Sequence, residues 1–280
     1  MTKLRVLILT DFSPLASVGI KYAAKMSQKL DIDYTIINVV RIDGLPKSNM
    51  RLKSIEKSMI EAANHEGEVL VNELMKEARV GSRIQFKAIK GHTVADVVKR
   101  FVQKNPTELV VMGSQGAGSL KKFRLGGTAV SVIETCPVPV LSIPKWAMFR
   151  DFGTVVYASD LKNVQKELDT IVPFARIFEA TLHMVHVVQA MDKEVEYLKN
   201  EAEKLIKKVN YSKLDFKLIL EDNVPEAIDG FIKSSKADLL TTFTHELTLY
   251  DKLFGLSVTR TLAYQANIPL LAFKRKPAKK

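Results

Sequence analysis

The chain has 280 residues and a mass of 31.4 kDa, with 42 Lys and Arg against 31 Asp and Glu for a formal charge of +11. Its 46% hydrophobic and 26% charged residues exclude a disordered or collagen-like chain, and the length can build two cores. One cysteine excludes a disulfide framework and a multi-cysteine metal site, and the lack of any run near ~18 apolar residues or of an export signal before Asp11 leads us to expect a cytoplasmic, non-membrane protein.

Residues 4–10 (LRVLILT) read as a β-strand ending at Asp11. Ser13 is placed to cap a helix that accepts Pro14 in its first turn, where no intrahelical N–H is lost. Leu15, Val18, Gly19, Tyr22, Ala23 and Met26 line one face of that helix. A second strand covers 33–40, and an amphipathic helix runs from about 51 to 79 on Leu52, Ile55, Met59, Ala63, Leu70 and Leu74. Residues 84–89 form a third strand, and Val94, Val97, Val98 and Phe101 mark the helix after it. Leu109 to Met112 make the fourth strand; a glycine-rich segment leads to a helix around 127–135 and a fifth strand over 138–143.

The order then recurs. Val155 to Ala158 is a strand ending near Asp160, and Val164, Leu168, Ile171, Val172 and Ala175 mark a helix face. A strand over 181–188, a charged helix over 192–210 and a strand over 214–220 follow. Asn223 and Glu226 have the spacing of a capping box, with Pro225 in the first turn. Ala237 to Thr241, a helix over 256–266 and a strand over 268–273 complete the series. Apolar strands alternating with helices argue for an α/β fold with parallel strands covered on both faces. The repeat shows in residue pairs: Asp11 with Asp160 and Tyr34 with His183 at an offset of 149, then Phe101 with Phe231, Leu109 with Leu239 and Val138-Pro139-Val140 with Ile268-Pro269-Leu270 at 130. Two units are therefore expected, 1–145 and 152–273, joined near 144–152, with Trp146, Met148 and Phe149 packing between them.

The charge is uneven. Residues 1–145 carry 22 basic and 13 acidic side chains (+9), and residues 146–280 carry 20 and 18 (+2). Lys274, Arg275, Lys276, Lys279 and Lys280 form a basic tail over 274–280, read as a solvated terminus. A basic chain attracts polyanions, but no zinc finger or aromatic-studded RNA-binding strand accompanies the charge, so specific nucleic-acid binding is not expected.

The segment Val111-Met112-Gly113-Ser114-Gln115-Gly116-Ala117-Gly118-Ser119, ending in Gly126-Gly127-Thr128, starts at the carboxyl end of a strand, where open α/β sheets take ligands. Its glycines let backbone N–H groups approach an anion, and Gly126, Gly127 and Thr128 fall at a helix start, whose dipole favours phosphate. Lys121, Lys122 and Arg124 add positive field. The same glycines also suit a purely structural turn. The segment is neither a Walker A loop, lacking Gly-Lys-Ser/Thr, nor a dinucleotide fingerprint, since it follows the fourth strand.

Gly113, Gly116 and Gly126 have the Gly, two residues, Gly, nine residues, Gly spacing of the universal stress protein (UspA-like) family, which residues 1–143 resemble; residues 152–273 resemble a second, diverged copy. The resemblance implies a Rossmann-like α/β fold of the adenine-nucleotide alpha hydrolase type, as two repeated, open, mostly parallel five-stranded sheets. It also implies binding of ATP or another adenine nucleotide with Mg²⁺, and a stress-response sensor or regulator. Carried over, Asp11, Val39 and Met112 serve the adenosine part, and Gly113, Ser114, Gln115, Gly116, Gly126, Gly127 and Thr128 the phosphates. The family's Ser/Thr position is Gly127 here, which removes a hydroxyl donor, with Thr128 one residue later. Family members pair through their last strands, so an intramolecular pseudo-dimer is implied, and a homodimer or an unidentified protein partner beyond it.

In the second copy the positions matching Gly113, Gly116 and Gly126 are Phe243, Glu246 and Leu256, with Ser257 kept and Gly255 one residue early. Phe243 fills space near the phosphate path and Glu246 repels anions, so this copy is read as structural or regulatory. His183 and His186, three apart on a strand, point to opposite faces and chelate poorly. His92 is a candidate to cap, pack or touch ligand; His245 with Glu246 is a loop pair, Cys136 a buried thiol, and His65 solvated. No organised base or phosphate clamp is evident, so a dedicated enzyme is not expected. The alternatives are a nucleotide-independent adaptor with two degenerate units, and a slow ATPase or adenosine-group α/β enzyme.

Overall fold

The computed structural model describes residues 3–41, 50–114, 127–188, 195–244 and 268–275. The chain divides into two compact units, 1–149 and 150–280. Among the described residues no helix is long and apolar enough to cross a membrane.

The first unit contains β1 (Leu4–Thr10), α1 (Pro14–Met26), β2 (Ile32–Val40), α2 (Met50–Glu77), β3 (Ile84–Lys90), α3 (Val94–Lys104), β4 (Leu109–Gly113), α4 (Gly127–Thr135) and β5 (Val140–Ile143). Its strands are all parallel, in the order β3-β2-β1-β4-β5. The inner strands are buried along most of their length, as helices on both faces require, whereas β3 at the edge alternates with solvent. Ser13 caps α1 as expected: its Oγ accepts the Ala16 N–H at 3.1 Å, with Pro14 opening the helix. Buried Tyr34 donates its hydroxyl to the Ala23 carbonyl at 2.6 Å and so ties β2 to α1.

The second unit repeats the plan with β6 (Thr154–Ala158), α5 (Val164–Ile177), β7 (Thr181–Val188), α6 (Val195–Lys207), β8 (Leu214–Leu220), α7 (Val224–Ser235), β9 (Leu239–Thr244) and β10 (Leu270–Lys274). Its strand order is β8-β7-β6-β9-β10, again parallel. Asn223 caps α7, accepting the Glu226 N–H at 3.4 Å. The helix expected over 256–266 lies outside the described residues.

Hydrogen bonds reproduce the repeat closely. The Glu108 N–H reaches the Arg5 carbonyl, and the Asp238 N–H reaches the Thr154 carbonyl. The Asn38 amide donates to the Thr10 carbonyl at 3.0 Å, where His186 Nδ1 lies 2.8 Å from the Ser159 carbonyl. The Gln85 amide donates to Thr35 Oγ1, and His183 Nδ1 meets Asp215 in the matching place at 2.6 Å. These pairs correct one correspondence. Val6 is level with Tyr34 and Val155 with Leu182, so Tyr34 matches Leu182 and His183 matches Thr35.

Two further expectations change. Trp146 and Met148 are exposed, and Phe149 sets its ring edge-on to Tyr22 of α1, at 5.1 Å. The basic tail begins later than expected, because Lys274 ends β10 and the side chain of Arg275 is only 14% exposed in ion pairs with α5 and the β6 end.

Candidate functional site

The order β3-β2-β1-β4-β5 reverses direction between β1 and β4, and such a switch opens a crevice at the carboxyl ends of the strands. Parallel register sets Thr10 level with Asn38, and Ile8 level with Val111. Asp11, Val39, Met112 and Gly113 therefore share one edge, on three neighbouring strands.

Asp11 is exposed at the head of a locked loop. Its Oδ1 accepts the Ser13 N–H at 3.1 Å, and Thr10 Oγ1 accepts the Phe12 N–H at 3.0 Å. Phe12 between them has φ 58°, a left-handed conformation that costs a non-glycine residue roughly 1–2 kcal/mol. Its ring lies 5.9 Å from that of Phe86 on β3, which helps hold the conformation. Asn38 steadies the same corner through the Thr10 carbonyl. A polar residue in an otherwise apolar strand end was the signal for Asn38 in the sequence.

Two glycines allow close packing around this edge, one against main chain and one against side chains. A Cβ on Gly19 of α1 would lie 3.2 Å from the Gly113 nitrogen and 3.3 Å from the Met112 carbonyl carbon. The helix thus seats directly on the end of β4, which explains a glycine inside a helix where alanine is otherwise preferred. A Cβ on Gly91, after β3, would stand 2.2 Å from Val97 Cγ2 and 3.6 Å from Val39 Cγ1.

Met112 and Ser114 are buried and Gly113 is half-buried. The Ser114 N–H, expected near phosphate, donates to the Ile143 carbonyl at 2.8 Å and extends the β4–β5 ladder. The Ser114 N–H is therefore taken up within the sheet. Gly127 and Thr128 open α4, exposed to solvent, and no described residue lies within 4 Å of a Cβ placed on Gly127. The first turn of α4 thus offers an accessible positive helix end, anchored by buried Ala129, Val130, Val132 and Ile133. Gln115, Gly116, Lys121, Lys122, Arg124 and Gly126 lie outside the described residues, as do His245, Glu246, Gly255, Leu256 and Ser257.

The remaining candidates have structural surroundings. Thr93, not His92, caps α3, accepting the Asp96 N–H at 3.1 Å, while His92 is exposed. Cys136 is buried and His65 exposed. His183 faces Asp215 and the Phe231 ring, and His186 braces the Ser159 carbonyl. Among the described residues no group of three or more His, Cys, Asp or Glu is arranged to hold a metal ion. In the second unit Phe243, at the position of Gly113, is buried between Phe273, stacked at 5.0 Å, and Tyr157, edge-on at 5.9 Å.

Residues 4–144 match the model of the universal stress protein family. A universal stress protein of Methanocaldococcus jannaschii is 27% identical over 144 residues, covering 50% of this chain and 83% of that protein. The crystal structure of a universal stress protein from Archaeoglobus fulgidus superposes with a TM-score of 0.72 at 18% identity, over 98% of this chain and 97% of that one. A putative universal stress protein from Pseudomonas aeruginosa gives a TM-score of 0.60 at 13% identity, over 98% and 94%. These two structures establish a shared α/β fold along nearly the whole chain.

Proposed function

The chain belongs to the universal stress protein family, and on that premise we propose that its first unit binds an adenine nucleotide, ATP foremost, as a sensor or regulator of the stress response. The observation that carries this reading is the crevice between β1 and β4, with the locked Asp11 loop on one side and the exposed start of α4 following the other strand. Asp11 and Val39 would receive the nucleoside, and the first turn of α4 the phosphates. The magnesium ion would arrive on the phosphates, since the described residues offer no carboxylate cage for it.

Thermal-shift titration with ATP, GTP and adenosine tests the reading. ATP at 100 times its Kd adds about 2.7 kcal/mol of native-state stability. Asp11→Ala removes most of that gain while the protein stays folded, because Asp11 is exposed. No shift at millimolar ATP, together with no nucleotide released from freshly purified protein, would refute it in favour of a nucleotide-independent adaptor.

A further inference from the structure

The equivalent crevice of the second unit, at the switch between β6 and β9, holds a connected run of polar side chains from Ser159 through Tyr157, Glu167 and Arg275 to Asp160. Glu167 of α5, 2% exposed, receives the Tyr157 hydroxyl on Oε2 and the Arg275 Nε–H on Oε1, the latter at 2.6 Å. The Tyr157 hydroxyl accepts the Ser159 hydroxyl at 3.1 Å. Arg275 turns the rest of its fork to Asp160, with Nη2 2.8 Å from Oδ1 and Nη1 3.2 Å from Oδ2. The Lys162 N–H reaches Asp160 Oδ1 at 3.0 Å. Burial acts against the charge on Arg275, yet the Asp160 hydrogen bonds and the Glu167 carboxylate hold its pKa above the ordinary value.

The repeat shows what is added here. By the hydrogen-bond register Tyr157 stands where the first unit has Ile8; with the same offset, Asp160 stands at Asp11 and Glu167 at Val18. On β9 and β10 the offset puts Phe243 at Gly113 and Arg275 at Lys145. The first unit builds the same fold with apolar Ile8 and Val18, so folding does not demand ions at these positions. A buried ion pair contributes little stability beyond what apolar packing supplies, and its planar, two-carboxylate geometry is a recognition geometry. Among the described residues two carboxylates meet one guanidinium, a net charge of −1 and the wrong sign for a phosphate. We propose that this crevice is a guanidinium-binding site, kept occupied by the chain's own Arg275, and that it accepts an alkylguanidinium such as a partner's arginine side chain whenever Arg275 is withdrawn.

The test is chemical rescue. Arg275→Ala lowers the melting temperature of the second unit, and low-millimolar methylguanidinium restores it along a saturable curve, while equal urea or methylammonium does not. Methylguanidinium leaves the wild type unchanged, because the site is already filled. A variant whose stability responds equally to all three solutes, or to none, overturns the proposal. Should Arg275→Ala fail to fold, the arginine Nε–H resonances of the wild type decide the matter. One exchange-protected Nε–H that disappears in Arg275→Lys supports the site, and its absence overturns it.

Discussion

Replacing Gly67 by alanine adds one methyl group to α2 at a point where the neighbouring strand already occupies the space. The new Cβ would stand 2.2 to 2.4 Å from three ring carbons of Phe86, against ordinary contacts that begin near 3.4 Å, so the ring must retreat by about 1.2 Å. The ring of Phe12, 5.9 Å away, also packs against Phe86 and narrows its room to move. Overpacking of this kind costs about 1–3 kcal/mol, and the better helix propensity of alanine returns about 1 kcal/mol, for a net loss of ~1 kcal/mol. Gly230 of α7 supplies the control, since it is exposed and no described residue lies within 4 Å of its Cβ position. There the same substitution keeps only the propensity gain, so the two variants should differ by about 2 kcal/mol with opposite signs. Urea unfolding of each variant, with a slope of roughly 2 kcal/mol per molar, separates their midpoint changes by ~1 M. If Gly67→Ala raises the midpoint as Gly230→Ala does, the close packing of α2 on Phe86 is refuted.

Gly127→Ser places a hydroxyl at the exposed start of α4 without a clash, and one added hydrogen bond of ~1 kcal/mol should tighten ATP about fivefold by calorimetry. An unchanged affinity would remove α4 from the phosphate site. Tyr157→Phe leaves one oxygen of buried Glu167 without its hydroxyl donor and should cost about 2 kcal/mol in the second unit's unfolding transition. For Asp33, burial opposes ionisation, but the Arg83 N–H and the Lys3 ammonium prevail and hold its carboxyl below the usual range. A depressed carboxylate contributes stability that is present above its unfolded pKa and lost as pH falls through the folded value. Wild type should therefore lose melting temperature faster than Asp33→Asn as pH drops below ~4, and parallel profiles would contradict the assignment.

Much of this architecture was readable because its signals are local. Strand runs such as 214–220, the Ser13–Pro14 helix start and the helix at 127–135 depend on nearest neighbours in sequence, and they stand where expected. Phe243 could be read as a space-filling residue, since a ring replacing glycine admits few other outcomes. The misreadings involve partners far away in the chain. Arg275 looked like part of a solvated charge run because Glu167 and Asp160 lie 108 and 115 residues earlier. Tyr34 pairs with His183 when the Asp11–Asp160 offset of 149 is carried on unchanged, whereas strand register obeys main-chain hydrogen bonds, and a slip of one residue exchanges the two faces. Gly19 lay on the expected apolar face of its helix, but its reason, the close approach of β4, requires two segments in three dimensions.

The corner after β1 has a twin after β6. Leu161 takes φ 60° as Phe12 takes 58°, and Ser159 Oγ accepts the Leu161 N–H as Thr10 Oγ1 accepts that of Phe12. The second corner carries the Glu167–Arg275–Asp160 ion pairs, yet the two backbones agree. The mould therefore belongs to the fold, and its contents are a choice of three or four side chains. Exchanging Phe243, Glu167 and Arg275 for the glycine, valine and lysine that stand opposite them is therefore a short route to giving the second corner the side chains of the first.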